Sequence, residues 1–276
     1  MIKIGEYNEL EIIKQLEFGV YLGKENVEIL MPTKWVPHGA KIGDVLNVFV
    51  FRDSDDRLIA TTVKPYATAN TFAFLEVKQV NAIGAFLDWG MDKDLLVPYR
   101  EQANQMEEGK SYVVFVYLDE ISDRLMASSR LSRFIERDEI TVQSGDIADL
   151  LVYSKTELGY NAIINDLHSG LIYKNEIFEN IRIGDRLKGY VKNIREDHKI
   201  DLSLQKSGFE LVDDVKWKIL NLLKSENGFL ALHDNSEPEE IKAKLQISKK
   251  AFKKAIGALY KEKLVTLTDK GVKLNN

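Results

Sequence analysis

The chain has 276 residues, 38 basic against 43 acidic, with a formal net charge of −5, 45% apolar and 29% charged residues. That balance is globular rather than disordered and disfavours strong phosphate attachment over the molecule as a whole. The absence of cysteine excludes disulfides, thiolate nucleophiles, zinc knuckles and iron–sulfur clusters.

The length suggests about two ordinary domains, or more if the modules are small. Met1-Ile2-Lys3-Ile4-Gly5-Glu6 lacks the apolar core of a signal peptide. The most apolar run, Val113 to Leu118, is far too short to cross a bilayer. A soluble cytoplasmic protein with no membrane partner is expected.

Three landmarks recur in order along the first three quarters of the chain. The first is an apolar or aromatic residue, a Gly and a strand: Phe18-Gly19-Val20-Tyr21-Leu22, Ile83-Gly84-Ala85-Phe86-Leu87 and Leu158-Gly159-Tyr160-Asn161-Ala162. The second is a Gly opening an apolar strand: Gly43-Asp44-Val45-Leu46, Gly109-Lys110-Ser111-Tyr112 and Gly184-Asp185-Arg186-Leu187. The third closes each unit: Arg57-Leu58-Ile59, Arg124-Leu125-Met126 and Lys199-Ile200-Asp201. The first two are separated by 24, 25 and 25 residues, and the last two by 15, 16 and 16. Runs rich in Val, Ile, Phe and Tyr, broken by Gly and Asp turns, make each unit β. About five strands in some 65 residues predict a small closed barrel.

Beyond Gly208 the period becomes helical. Val212, Val215, Ile219, Leu222 and Leu223 form one apolar face. Ser236-Glu237-Pro238-Glu239 reads as a capping box, and Ser248 as the cap of a third helix with Phe252, Ala255, Ile256 and Leu259 buried. Leu264 to Thr268 and Val272 to Leu274, joined through Asp269-Lys270-Gly271, read as a hairpin. Three helices and a two-stranded wing are similar to a winged helix-turn-helix. This segment holds 13 Lys, no Arg and 10 acidic residues, a net +3, against −8 for the rest. Lys249, Lys250, Lys253 and Lys254 cluster where a DNA-reading helix would present its first turn. They fit an ordinary solvated helix face equally well.

The three β units resemble the S1-type RNA-binding domain, an OB-fold barrel, over roughly residues 1–206, most closely in the second and third. Asp201-Leu202-Ser203-Leu204 closely copies that family's closing element. Three such barrels and a helical module resemble the conserved virulence factor B family. The expected architecture is mainly β with a C-terminal α+β module: barrels over residues 1–66, 67–140 and 141–207, and a winged helix over 208–276.

The resemblance implies single-stranded RNA bound by base stacking and basic side chains. The stacking pair in the first unit would be Phe18 and Tyr21. In the second only Phe86 remains, beside Ile83; in the third, Leu158 and Asn161 replace both, with Tyr160 displaced by one position and facing the barrel interior. The family's strand-three histidine falls at Pro32, Pro98 and Tyr173, and the two prolines suggest edges or bulges. The turn acid is carried by Asp53 and Asp119 but not by Arg195, which stands in its place in the third unit, and its basic partner by Arg57, Arg124 and Lys199. Trp35, Trp89 and Tyr99 either extend the platform or fill seams between barrels. A ring on a half-buried strand is as readily core as platform. The third unit, residues 141–207, is the least acidic, with nine basic and ten acidic residues. Phosphate contacts are therefore assigned there, with Tyr173, Lys174, Lys192 and Lys199, and stacking to the first unit.

Enzyme signatures are missing. Gly109-Lys110-Ser111 mimics a phosphate-binding loop, but Asn104 stands where its first Gly is required. The four histidines are too scattered for a helical metal site. No catalytic residue, metal or cofactor is expected. Two readings follow: a non-catalytic RNA-binding post-transcriptional regulator, or a transcription regulator whose winged helix reads duplex DNA while the barrels serve as scaffold.

Overall fold

A computed structural model describes residues 1–24, 27–177, 180–205 and 209–275. The first barrel comprises β1 (Tyr7–Leu16), β2 (Gly19–Lys24), β3 (Val27–Pro32), β4 (Val45–Arg52) and β5 (Leu58–Thr61). The second comprises β6 (Thr71–Asn81), β7 (Gly84–Leu87), β8 (Leu95–Pro98), β9 (Ser111–Asp119) and β10 (Arg124–Ser128). The third comprises β11 (Ile147–Lys155), β12 (Gly159–Ile164), β13 (His168–Tyr173), β14 (Arg186–Ile194) and β15 (Ile200–Ser203). Each closes in the order first, second, third, fifth, fourth strand. The third and fifth strands run parallel, pairing Leu30 with Ile59, Leu96 with Met126 and Gly170 with Ile200. These are OB-fold barrels.

The repeat landmarks have steric causes. Gly19, Gly84 and Gly159 open the second strand of each barrel against the end of the third. A Cβ there would lie 2.3 Å from the Met31 carbonyl oxygen, 2.3 Å from that of Val97 and 1.9 Å from that of Ile172. Only glycine allows that approach. The second landmark holds a β-bulge. Gly43 N–H donates to the Ile12 carbonyl (2.8 Å), and Ile12 N–H donates to the Asp44 carbonyl (2.9 Å), where the β1 register shifts between Ile12 and Lys14. Val77 exchanges the same bonds with Gly109 and Lys110, and Val152 with Gly184 and Asp185. Those three glycines have φ of +93°, +75° and +96°, the left-handed region that glycine enters without strain. The near-constant spacing is therefore the length of chain needed to return to the bulge.

The prolines do not make bulges. Pro32 and Pro98 are the last residues of β3 and β8, with φ of −57° and −58°, and each leads into a 3-10 turn. Proline's fixed φ suits that exit, and the bulges lie in the first strands instead.

Residues 1–135 form one compact unit with two barrels, and residues 136–276 a second with the third barrel and the winged helix. In the first unit, Val48 and Val50 face the first barrel's own core, while the alternate residues Phe49 and Phe51 join the second barrel's core. Their rings meet Trp89 at 5.8 and 6.5 Å. Trp89, only 3% exposed, fills the seam, and Trp35 packs edge-on to Phe51 at 6.2 Å. In the second unit, Leu150, Ile164, Ile172, Val191 and Leu202 fill the third barrel. His168 is buried there, its ring nitrogens bonded to Thr141 and the Glu136 carbonyl.

The C-terminal module runs α1 (Phe209–Ser225), β16 (Phe229–Leu230), α2 (Pro238–Leu245), α3 (Lys249–Lys261), β17 (Val265–Thr268) and β18 (Gly271–Leu274). Val215, Ile219 and Leu223 are buried as the period requires; the side chain of Val212, and the barrel boundary at 207–208, lie outside the described residues. The α3 stripe of Phe252, Ala255, Ile256 and Leu259 is buried, and Ser248 Oγ accepts the Ala251 N–H at 3.1 Å. The capping box at Ser236 does not form. Proline at the first helical position starts α2 one residue later, with Glu237 as its cap and no side-chain capping bond. Ser236 turns inward and accepts the His233 N–H at 3.0 Å. The wing has three strands, because β16 pairs with β18. Among the described residues, no helix is long and apolar enough to cross a membrane.

Two glycine substitutions separate these constraints. Gly84→Ala is expected to cost about 1–3 kcal/mol or more by forcing two strands apart. Gly257→Ala, in α3 with open space around its Cβ, is expected to stabilise by about 0.5–1 kcal/mol. Thermal and denaturant unfolding would read both.

Candidate nucleic-acid interface

The close approach at Gly19 leaves the preceding residue on the barrel rim, where Phe18 is 57% exposed. Its ring meets Tyr21 edge-to-face, with centroids 6.5 Å apart. Across the bulge Lys14 pairs with Tyr21, and its ammonium lies 5.7 Å from the ring centroid. An exposed ring, a half-buried one and a cation can hold stacked bases beside a phosphate. Lys14 escapes sequence reading because the bulge shifts its register. Arg57 is engaged on its own turn, donating to Asp53 at 2.6 and 2.9 Å and lying 3.0 Å from Asp55. Burial pushes the Asp53 carboxyl up, but hydrogen bonds from Arg57 and the Asp55 backbone outweigh it, holding the group below its ordinary 3.8.

In the second barrel, Ile83 and Phe86 stand at the corresponding positions, but the face is not open. The β4–β5 turn of the first barrel covers part of it, leaving a cavity of about 140 Å³ lined by Phe51, Phe86, Trp89, Leu96 and Met126 among others. Ion pairs cross the seam in both directions. Arg52 bonds the Asp123 carboxylate and carbonyl, the latter at 3.1 Å, and Arg124 Nε donates to Asp56 at 2.6 Å. That hydrogen bond holds the Asp56 carboxyl below its ordinary value and raises Arg124. Lys93, half-buried on the rim, donates to the Asp53 carbonyl at 3.1 Å. Lys34 and Asp92 form a further pair.

In the third barrel, Tyr173 accepts a hydrogen bond from Arg195, whose guanidinium lies 5.9 Å from the ring centroid. Arg195 also bonds Asp201 at 2.8 Å, so an acid on the closing strand replaces the missing turn acid. Asn161 donates to Ser154 at 3.0 Å. Tyr160 packs against the core, as alternation requires, with Lys155 5.7 Å from its ring centroid. Lys192 pairs with Glu176, which also accepts from Ser203 at 2.8 Å, and Lys199 pairs with Asp197 at 2.7 Å. Lys174 is exposed and makes no ion pair among the described residues.

The structure thus brings Phe18 together with Tyr21, and Phe86 together with Arg124 on one cavity. Arg57, Arg124, Lys192 and Lys199 are neutralised by carboxylates. On α3, Lys250, Lys253 and Lys254 are exposed and make no ion pair among the described residues, while Lys249 reaches the Asn235 carbonyl at 3.4 Å. Arg52 and Lys93 were invisible to motif reading, since each acts through a partner distant in sequence, and Arg195, read as standing in place of a turn acid, pairs outside the family pattern.

Comparison with known proteins agrees with this architecture. An S1 domain model matches residues 4–63 and 71–130, and a CvfB-like winged helix domain model matches residues 217–274. The chain is 28% identical to the uncharacterized protein YitL of Bacillus subtilis, covering 93% of this chain and 89% of that protein. It is 24% identical to conserved virulence factor B of Staphylococcus epidermidis, covering 97% and 96%. A crystal structure described as a multidomain protein with nucleic acid binding domains from Streptococcus pneumoniae aligns at 25% identity and a TM-score of 0.44, covering 99% and 98%.

The cross-seam pairs should be acid-sensitive. Because the folded-state pKa of Asp56 is depressed, its contribution is present above about 3.8 and is lost as pH falls through its lowered value. Asp56→Asn should melt slightly below wild type at neutral pH, as expected for an exposed pair. The difference should vanish at pH values below the carboxylate range in a pH series of melting curves.

Proposed function

Because the chain belongs to the conserved virulence factor B family, we propose that it is a non-catalytic, cytoplasmic RNA-binding protein that regulates gene expression after transcription. Its S1 barrels and winged helix are nucleic-acid-binding domain types. The choice of single-stranded RNA rests on one observation above the rest, the exposed Phe18 ring set edge-to-face against half-buried Tyr21 with Lys14 beside it. Rings on a barrel rim suit unstacked bases, which a duplex does not offer. The charge agrees: barrels with a net −8, their designated cations largely paired, favour attachment through stacking over counterion release.

The four lysines of α3 favour a second reading, duplex DNA in contact with the winged helix. Fluorescence titration with single-stranded RNA and duplex DNA, each at two salt concentrations, separates the two. Replacing Phe18 and Tyr21 together by Ala is expected to weaken single-stranded RNA binding by about 1–3 kcal/mol per lost stacking contact. The salt dependence should be shallow, reflecting roughly two to four phosphate contacts. Unchanged affinity in a folded variant would remove the stacking assignment. Alanine at Lys249, Lys250, Lys253 and Lys254 together should leave stacking-dependent RNA binding largely intact; a selective loss of duplex binding would favour the second reading.

A further inference from the structure

The cleft between the first two barrels differs in kind from the open rim at Phe18. Its walls come from both barrels, Phe51 from β4 and Phe86, Leu96 and Met126 from the strands opposite. Its free volume, about 140 Å³, is on the scale of the ~150 Å³ cavities that accept a single benzene ring. The frame is fixed from behind by the Phe49, Phe51 and Trp89 cluster. It is fixed at the rim by the two reciprocal arginine pairs, Arg52 with Asp123 and Arg124 with Asp56.

The cleft also carries polar groups of both kinds. The Lys93 ammonium donates one hydrogen bond among the described residues, to the Asp53 carbonyl, while its backbone carbonyl accepts from the Trp89 indole N–H. Burial, and then the neighbouring Arg124, push its pKa down. An ammonium held half out of water beside another cation gains from an additional acceptor. Asp94 lines the same cleft, its carboxyl pushed up by burial and then by Asp88, and offers acceptor oxygens. Aromatic walls, room for one ring, and a donor and an acceptor on the rim match a nucleobase, which has a π face and an edge carrying both carbonyl acceptors and N–H donors.

We infer that this cleft is a pocket for one nucleobase: a single base of a bound strand leaves the stack and inserts between Phe86 and Phe51, its polar edge meeting Lys93 and Asp94. The inference rests on the RNA-binding reading above and adds that two barrels share one base. The strand's phosphates stay outside, because the arginines at the rim are already paired. The first barrel accordingly limits the second to one ring, where an open face would take a run of bases.

The test uses the full chain with a short single-stranded RNA containing 5-iodouridine, irradiated and mapped by mass spectrometry. Cross-links to Phe86, Trp89 or Phe51 are expected, in addition to those at Phe18 and Tyr21. Leu96→Trp, which fills the cleft, should abolish the cleft cross-links, spare those at Phe18 and Tyr21, and weaken affinity about tenfold. Cross-links confined to the Phe18 rim, or undiminished affinity in a folded Leu96→Trp variant, would overturn the pocket while leaving RNA binding in place. Failure of the wild-type chain to bind any single strand would overturn both. Should the variant not fold, the wild-type cross-link map decides alone.

Discussion

The backbone crossing at Gly19, Gly84 and Gly159 is the constraint from which the barrels follow. Where the second strand starts, it lies so close to the carbonyl at the end of the third that a hydrogen atom fits and a methyl group does not. The preceding residue has nowhere to go but outward, so Phe18, Ile83 and Leu158 are each more than half exposed. A steric rule inside the sheet thus sets what stands on the rim. The bulge held by the second glycine completes the geometry, bending the first strand so that it can pair on both sides of a closed barrel.

These two constraints explain why so much of the fold was legible. Each is met only by glycine, and each recurs at a fixed distance, so three barrels could be counted from the sequence. The α3 stripe and the Ser248 cap were legible for the same reason, since periodicity and capping are local. What escaped was non-local. Phe49 and Phe51 alternate with core residues just as ligand-facing rings would, and nothing in a single strand tells that they face Trp89. The two-residue strand β16 is too short to show a period. Ser236 had every local feature of a cap until Pro238 displaced the helix start.

The candidate interface was legible in its rings and less so in its charges. Phe18, Tyr21 and Phe86 stand near the rims, yet only Phe18 is fully exposed, with Tyr21 and Phe86 half-buried. Basic residues read as phosphate contacts are mostly coupled to acids: Arg57 to its own turn, Arg124 across the seam, Lys192 and Lys199 to neighbouring side chains. An ion pair must be exchanged for a phosphate rather than simply filled by one, so these cations add less to affinity than their number suggests. The net acidity of the barrels is then no obstacle to binding; it shifts the burden to flat apolar faces.

The burial of Phe49 and Phe51 against Trp89 also has a temporal side. During synthesis the first barrel's strands are all available once β5 emerges, but Phe49 and Phe51, flanked within that barrel by Tyr7 and Trp35, lack their partner Trp89 until about 28 residues later. For that interval a nearly finished barrel carries two partly covered rings on a strand, the kind of surface that chaperones hold and that aggregates when crowded. The first 135 residues, rather than the first barrel alone, are therefore the compact unit of nascent chain in which these two rings have their full set of partners.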